Sequence, residues 1–356
     1  MSFGKQQEVI FATIATTNFL PRAMVMAQSV KKYMPRSKII ICIVEEEIPK
    51  TSLNLYSYFD EIVLAKNIGI PDFYRFIFQY VQSEGSNACK AQFLIYLIET
   101  YRDYQKFIFL DADTKVFGPF TELLDLLENN EIIVSPHFIS FNEQAPLYHL
   151  AVIHKTGIFN TGLFAIKRGA DSDGFLHWWA KILSKYCITN PAKGFWNEQK
   201  WLDVASGLFN FRIQKDPGYN VGPWNLQERN FTVKEKGKYL VNKEPFRMFH
   251  FSSIYTDYLE DMLKLSSSEQ RHIISRLKKE YLQEITNIDK DLLREKPWSY
   301  DFFSSGRPIQ LKTRLNFRNN QKLYYHIKNP FFANNKTFRM KEKTNTTGIK
   351  INKRFT

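Results

Sequence analysis

Cysteine is scarce in this chain. Its three residues, Cys42, Cys89 and Cys187, are odd in number, widely spaced and in no CxxC pair. That argues against a disulfide framework or a cysteine-based zinc site, and it fits a reducing, cytoplasmic compartment. Long apolar runs are missing too, since nothing approaches the roughly 20 apolar residues that span a bilayer. The opening "MSFGKQQEVIFATIATTN" has a short apolar stretch broken by Thr13, with no basic lead and no small-residue cleavage site, so neither secretion nor membrane spanning is expected. There is no internal repeat and no linker that would split the body. Acidic residues are nearly absent from the C-terminal end: from Lys312 onward twelve Lys and Arg stand against one acid, Glu342. The tail therefore carries +11 of the net +13 and leaves the preceding 311 residues with +2, which points to a polyanionic partner for the tail and not for the body.

What is present is a core, with 44% of residues apolar, and strand-like runs that alternate with helical ones. That is the pattern of a mostly parallel sheet flanked by helices. "EVIFATIA", "KIIICIV", "EIVLA" from Glu61 and "KFIFL" read as successive strands. "LPRAMVMAQSVKKYM" reads as an amphipathic helix with Pro21 near its first turn. Further strands are "EIIVSP", "GIFNTGLFAIKR" and "FRMFHFSS". A Trp-rich helix contains His177, Trp178 and Trp179, which are expected in the core. The stretch Ser266 to Glu269 reads as a capping box before "RHIISRLKKEYLQEI".

The stretch "FIFLDADTKV" is less generic. A core strand that ends in two carboxylates needs a cation nearby, because paired unneutralised acids repel and are costly to desolvate. On an extended chain Asp111 and Asp113 point to the same side with backbones roughly 6.5 Å apart, so both reach one bound group. Oxygen ligands suit Mg²⁺ or Mn²⁺, which keep positions for water or phosphate oxygens. The carboxyl end of a strand is also where open α/β sheets bind ligands. Haloacid-dehalogenase-type phosphatases use similar letters with the first Asp as nucleophile. Here three strands precede the motif, Lys115 occupies the fifth position, and no Asp-Asp pair follows.

Several segments in order, "ATIATTNFLPRAMVMAQSV", "NACKAQFL", "FLDADTKVFGPF", "FNTGLFAIKRG", "FWNEQKWLD", "GYNVGPWNLQER", "FHFSS" and "SSGRPI", resemble a bacterial nucleotide-sugar glycosyltransferase of the GT-A type, related to the lipopolysaccharide galactosyltransferase and glycogenin group. The likeness runs from Val9 to Ile309. It departs at Ala112, where Pro is frequent, and at Glu198, where Asp is expected. The fold it implies is α/β: a GT-A (Rossmann-like) mixed, mostly parallel sheet flanked by helices, with a helical C-terminal addition and a basic tail. The expected organisation is a GT-A domain over 1–311, with the helical addition at about 255–300, and a basic aromatic tail over 312–356.

The resemblance also implies roles. Asp111, Asp113 and His250 are the metal ligands, with Mn²⁺ or Mg²⁺ as cofactor, and the alternative role for Asp111 is contact with ribose and sugar hydroxyls. Lys90 contacts the donor, Ala15 and Thr16 border its base, and Asn160 and Gly162 lie beside its sugar. Glu198, Gln199 and Asp203 are the catalytic candidates, Glu198 as a carboxylate base or Gln199 as a positioned amide. Tyr219, Asn220, Trp224 and Asn225 are the acceptor-side candidates. The expected reaction moves a hexose from a nucleotide diphosphate, UDP for preference, to a glycan or lipid-linked acceptor in surface polysaccharide synthesis. The alternative is a catalytically silent carbohydrate-binding scaffold on the same fold. For the tail, Phe317, Tyr324, Tyr325, Phe331, Phe332 and Phe338 among the cations suggest peripheral attachment to the anionic inner face of a bacterial membrane. Nucleic acid is disfavoured because the body carries no supporting motif.

Overall fold

Alternation along each strand divides the core into two layers. In β1 (Val9–Ala15) the side chains of Val9, Phe11 and Ala15 join one hydrophobic cluster, and those of Ile10, Ala12 and Ile14 join the other. In β2 (Lys38–Ile43) the residues Ile39 and Ile41 lie on the first side and Ile40 and Cys42 on the second. Successive side chains of a strand face opposite ways, so a strand apolar at every position must be covered on both faces. The computed structural model describes residues 9–140, 147–234 and 238–338.

The main sheet also contains β3 (Glu61–Leu64), β4 (Lys106–Leu110), β6 (Ile132–Pro136), β7 (Phe159–Lys167) and β10 (Phe211–Ile213), in the order β10-β6-β7-β4-β1-β2-β3. Only β7 runs against its neighbours β4 and β6, so the sheet is mixed and mostly parallel. A two-stranded ribbon pairs β5 (Thr114–Val116) with β14 (Met248–His250). A short hairpin joins β8 (Thr189–Asn190) to β9 (Phe195–Trp196). A three-stranded antiparallel sheet holds β11 (Phe231–Val233), β12 (Tyr239–Val241) and β13 (Glu244–Pro245).

Helices α1 (Leu20–Tyr33) and α5 (Thr121–Asn129) contribute their buried residues to the first layer, together with α9 (Tyr258–Lys264) and the long α10 (Ser268–Ile288). The second layer takes α2 (Phe73–Phe78), α3 (Gln82–Ala88), α4 (Lys90–Thr100), α7 (Ala170–Tyr186) and the short α8 (Trp201–Ala205). Helix α6 (Leu147–Thr156) precedes β7. Cys42, Cys89 and Cys187 are free and buried, and burial pushes each thiol upward in pKa.

Three local expectations need correction. Trp179 is buried, but His177 on the same helix is exposed and pairs with Asp173 one turn earlier. The cap of α10 is Ser267, whose hydroxyl accepts from the Gln270 amide, one residue later than the Ser266–Glu269 box. The third concerns the tail. Helices α11 (Leu311–Asn319) and α12 (Gln321–His326) begin it, and Phe317, Phe331 and Phe338 are buried, their rings 5.1, 5.1 and 5.2 Å from that of Phe78. Arg314, also buried, donates to Phe78 O and Tyr300 O. Of the aromatics expected at a lipid interface, Tyr325 and Phe332 remain exposed. Half the tail's cations, from Arg339 on, lie outside the described residues. These aromatics are drawn inward because Phe78 offers them an apolar pocket.

Phe317→Ala should accordingly destabilise the protein by about 3–5 kcal/mol, the range for a buried aromatic truncated in a core. Denaturant midpoints of wild type and variant would measure it, and an unchanged midpoint would show that the tail is not part of the core.

Candidate active site

Strand β4 is buried at all five positions and leads directly into Asp111. Its direction is fixed by Asp111 N–H donating to Gly162 O on β7. The chain then turns at once, with the backbone N–H and the hydroxyl of Thr114 both donating to Asp111 O, at 3.2 and 2.8 Å. The two carboxylates therefore sit on a tight turn and not on the extended chain expected from the sequence. The turn hydrogen bonds curl Asp113 back over Asp111. On the other side Phe251 N–H donates to Asp113 O, and β14 lays His250 opposite Thr114. One oxygen from each Asp and a ring nitrogen of His250 come within 4.8 Å of one another.

The charges around this turn are tightly balanced. His250 Nε2 is 3.1 Å from Asp113 Oδ1 and 3.8 Å from Asp111 Oδ2. Lys90, at the start of α4, lies between Asp111 Oδ1 at 2.9 Å and Glu198 Oε1 at 2.7 Å. Arg22 Nη1 is 3.8 Å from Asp113 Oδ2. Burial opposes ionisation of Asp113, but His250 and Arg22 hold its pKa down to about 2. Burial raises Asp111, with Lys90 and His250 working against the rise. Burial would lower His250, yet Asp113 and Asp111 overcome it and raise its pKa. Lys90 follows the same logic: burial opposes its charge, and Asp111 and Glu198 prevail.

A chain of amides orients the imidazole. His250 Nδ1 lies 3.3 Å from Asn220 Oδ1, Asn220 Nδ2 donates to Asn160 Oδ1 at 3.0 Å, and that oxygen also accepts Gly162 N–H. With an amide oxygen as partner Nδ1 carries a proton, which leaves the Nε2 lone pair of the neutral ring for a cation. This is the usual outer support of a metal-bound His. Gly162 supplies the room, since a Cβ there would lie 2.3 Å from two imidazole atoms. The ring of Trp224 stands edge-on to His250 at 5.2 Å. The donor set of two carboxylate oxygens and one imidazole nitrogen thus fits a divalent ion of the Mn²⁺ or Mg²⁺ kind.

Beside the triad is a cavity of about 250 Å³, bounded by Ala15 and Thr16 at the end of β1, by Asp111 and Asp113, and by Asn160, Glu198, Gln199 and His250. A second cavity of about 290 Å³ holds His137, Thr156 and Trp224. The two share Asn160, Trp196, Gln199 and Ser252.

Other candidates fall elsewhere. Lys90 is buried behind Asp111 and also meets the Thr161 hydroxyl, so it steadies the site from below. Asp203 is turned away from both cavities, accepts Ile158 N–H and pairs with Lys200. Tyr219 is in the core with its hydroxyl donating to Glu122. Asn225 closes its own loop by accepting Gly222 N–H and donating to Asn220 O and His137 O.

Sequence reasoning missed the cavity wall on α3, formed by Gln82, Ser83, Ser86 and Asn87. Their spacing, one and four residues apart, places them on one helix face, and that was the available signal. It also missed Trp196, His137 and Arg22.

Comparison with known proteins bears on the same region. Residues 10–172 match the family model described as Glycosyl transferase family 8. Among curated proteins, the uncharacterized protein YfnF of Bacillus subtilis (strain 168) is 25% identical over 179 residues, which are 48% of this chain and 57% of that protein. The chain therefore matches a little over half the length of that relative. Among solved structures, galactosyltransferase LgtC in complex with donor and acceptor sugar analogues aligns with a TM-score of 0.41 and 16% identity, over 75% of this chain and 99% of that one. Mouse xyloside xylosyltransferase 1 aligns with a TM-score of 0.41 and 11% identity, over 70% and 99%. The segment that supplies β1, Lys90 and both carboxylates thus resembles glycosyl transferase family 8.

Proposed function

We propose that the protein transfers a hexose from a nucleotide diphosphate sugar, with UDP as the nucleotide, to a glycan or lipid-linked acceptor in surface polysaccharide synthesis. The observation that carries this reading is the Asp111–Asp113–His250 cluster at the edge of a cavity that opens beside the end of β1. Asp113 and His250, with Asp111, would hold Mn²⁺ or Mg²⁺. Such an ion supplies charge neutralisation for the diphosphate as the sugar departs.

The chain's own residues do the rest. Neither cavity alone reaches the about 300–1,000 Å³ usual for a small-molecule site. Because they share Gln199 and Trp196, a sugar in the first would meet an acceptor hydroxyl entering from the second. Glu198 Oε1 is fixed by Lys90 and the Thr161 hydroxyl, whereas Oε2 is buried and has no partner. A buried carboxylate oxygen left unmatched is costly, and a sugar hydroxyl donating to it would remove that cost. Gln199 donates its amide N–H to Thr156 O and lines both cavities. Trp224 offers an aromatic wall and a buried, unpartnered indole N–H to the acceptor side.

Asp113→Asn keeps the shape and removes the charge. It should abolish Mn²⁺-dependent hydrolysis and transfer from a nucleotide sugar while leaving the melting temperature within a few degrees of wild type. Undiminished Mn²⁺-dependent turnover would overturn the reading, as would a screen in which no nucleotide sugar raises the melting temperature.

The raised pKa of His250 gives a second test. A group whose folded pKa is raised adds stability that is fully present below its ordinary value, 6.5, and is lost as pH rises through the folded value. The metal-free protein should therefore lose stability across that window relative to its His250→Asn variant. Mn²⁺ competes with that proton, so the stabilisation it adds should grow with pH over the same range. Melting curves at several pH values, with Mn²⁺ and with chelator, measure both trends.

A further inference from the structure

Arg22, in the first turn of α1, is nearly enclosed, with its side chain 13% exposed. Its guanidinium carbon lies 4.4 Å from the Phe19 ring centre and 5.0 Å from that of Tyr255, so two aromatic faces hold it. Five N–H donors are present on such a group. Among the described residues they have one ionic neighbour, Asp113 Oδ2 at 3.8 Å, which is beyond hydrogen-bond distance. Nε is buried and has no partner. Among the described residues the Tyr281 hydroxyl is also buried and unpartnered, and burial, with Asp113 adding and Arg22 opposing, pushes its pKa up.

A guanidinium removed from water without hydrogen-bonded acceptors is costly unless an anion completes it. The other charged groups of the site are differently placed. Lys90 is fully engaged by Asp111, Glu198 and Thr161, and His250 by Asp113 and Asn220. Arg22 alone among the site's cations retains its donors. Two of its three immediate neighbours, Phe19 and Asp113, are part of the first cavity's wall.

We infer that Arg22 is a diphosphate-binding residue. Its planar fork takes phosphate oxygens of the donor at the edge of the first cavity, on the far side of Asp113 from His250, and gives the departing nucleotide a second fixed positive charge. Arginine suits the task because its N–H pairs match a phosphate in two parallel bonds. The ring faces of Phe19 and Tyr255 hold the guanidinium in place before the anion arrives, which reduces the ordering cost of binding. The inference rests on the nucleotide-sugar reading and names one of its contacts.

The test compares wild type with Arg22→Met, which keeps a side chain between the two rings without charge, and with Arg22→Lys. Inorganic pyrophosphate and UDP, each with Mn²⁺, are titrated calorimetrically, and ligand-free melting temperatures are recorded. The expected result is about a tenfold or greater loss of affinity for both anions in Arg22→Met, with partial recovery in Arg22→Lys. The ligand-free melting temperature of Arg22→Met should be unchanged or higher, because an unmatched buried charge has been removed. A purely structural Arg22 would give the opposite, a lowered melting temperature with anion affinity preserved, and that overturns the inference. If wild type and Arg22→Met bind pyrophosphate and UDP equally well, the donor reading survives and the role of Arg22 falls. If wild type binds neither anion, the donor reading itself fails and takes the inference with it.

Discussion

Three carboxylates, those of Asp111, Asp113 and Glu198, lie in one poorly hydrated corner, and the surrounding structure is organised to neutralise them. Lys90 is shared between Asp111 and Glu198. His250 leans on Asp113, and Arg22 stands beyond it. Removing Lys90 or His250, the two cations in direct contact with these acids, would leave an uncompensated buried acid, the situation in which protein charges are most expensive. The sharing also explains why the two Asp residues diverge. Asp113, faced by His250 and Arg22, is held ionised to about pH 2, whereas burial prevails at Asp111 and raises it.

The same balance dictates the backbone. His250 can stand over the turn only because Gly162 has no side chain beneath it, and Asp111 is placed by its hydrogen bond to the Gly162 carbonyl. One residue of β7 therefore sets both the height of the imidazole and the start of the acidic turn. β7 is also the strand that runs against its neighbours, which is how a residue from the middle of the chain comes to lie beside the end of β4. The ribbon of β5 and β14 then carries His250 back to the turn from about 140 residues downstream in the sequence.

How much of this was legible follows from how each signal arises. Strands buried on both faces are apolar without interruption, so β1, β2, β4 and β7 could be read directly, and the end of β4 announced Asp111. Asp203 and Tyr219 were read as functional because polar and aromatic residues near motif segments serve two ends. Here the first caps the Ile158 amide and the second braces Glu122. Their partners lie 45 and 97 residues away, and no local pattern reveals such pairs. Arg22 was passed over for the converse reason: a single Arg on an amphipathic helix looks like part of a solvated face, and only the approach of Phe19, Tyr255 and Asp113 shows that it is enclosed. The extended geometry assumed for Asp111 and Asp113 failed because the turn is closed by Thr114, whose hydroxyl duplicates the bond made by its own amide.

The basic tail shows the same limit at a larger scale, and it connects to the site. Charge counting detected an excess of Lys and Arg but could not tell that Arg314 is buried against the last turn of α2, where its guanidinium donates to the otherwise unmatched carbonyl of Phe78. Phe317, Phe331 and Phe338 then close over Phe78, and Trp298 packs against the α3 segment so closely that a Cβ on Gly85 would lie 2.9 Å from its ring. Helix α3 presents Gln82, Ser83, Ser86 and Asn87 to the first cavity from its opposite side. The C-terminal segment is therefore the outer support of the first cavity's wall: it packs on α2, α2 leads into α3, and α3 carries the polar groups that line the cavity. A wall of four short polar side chains has little apolar area of its own with which to hold position, so its rigidity has to come from the aromatic packing behind it.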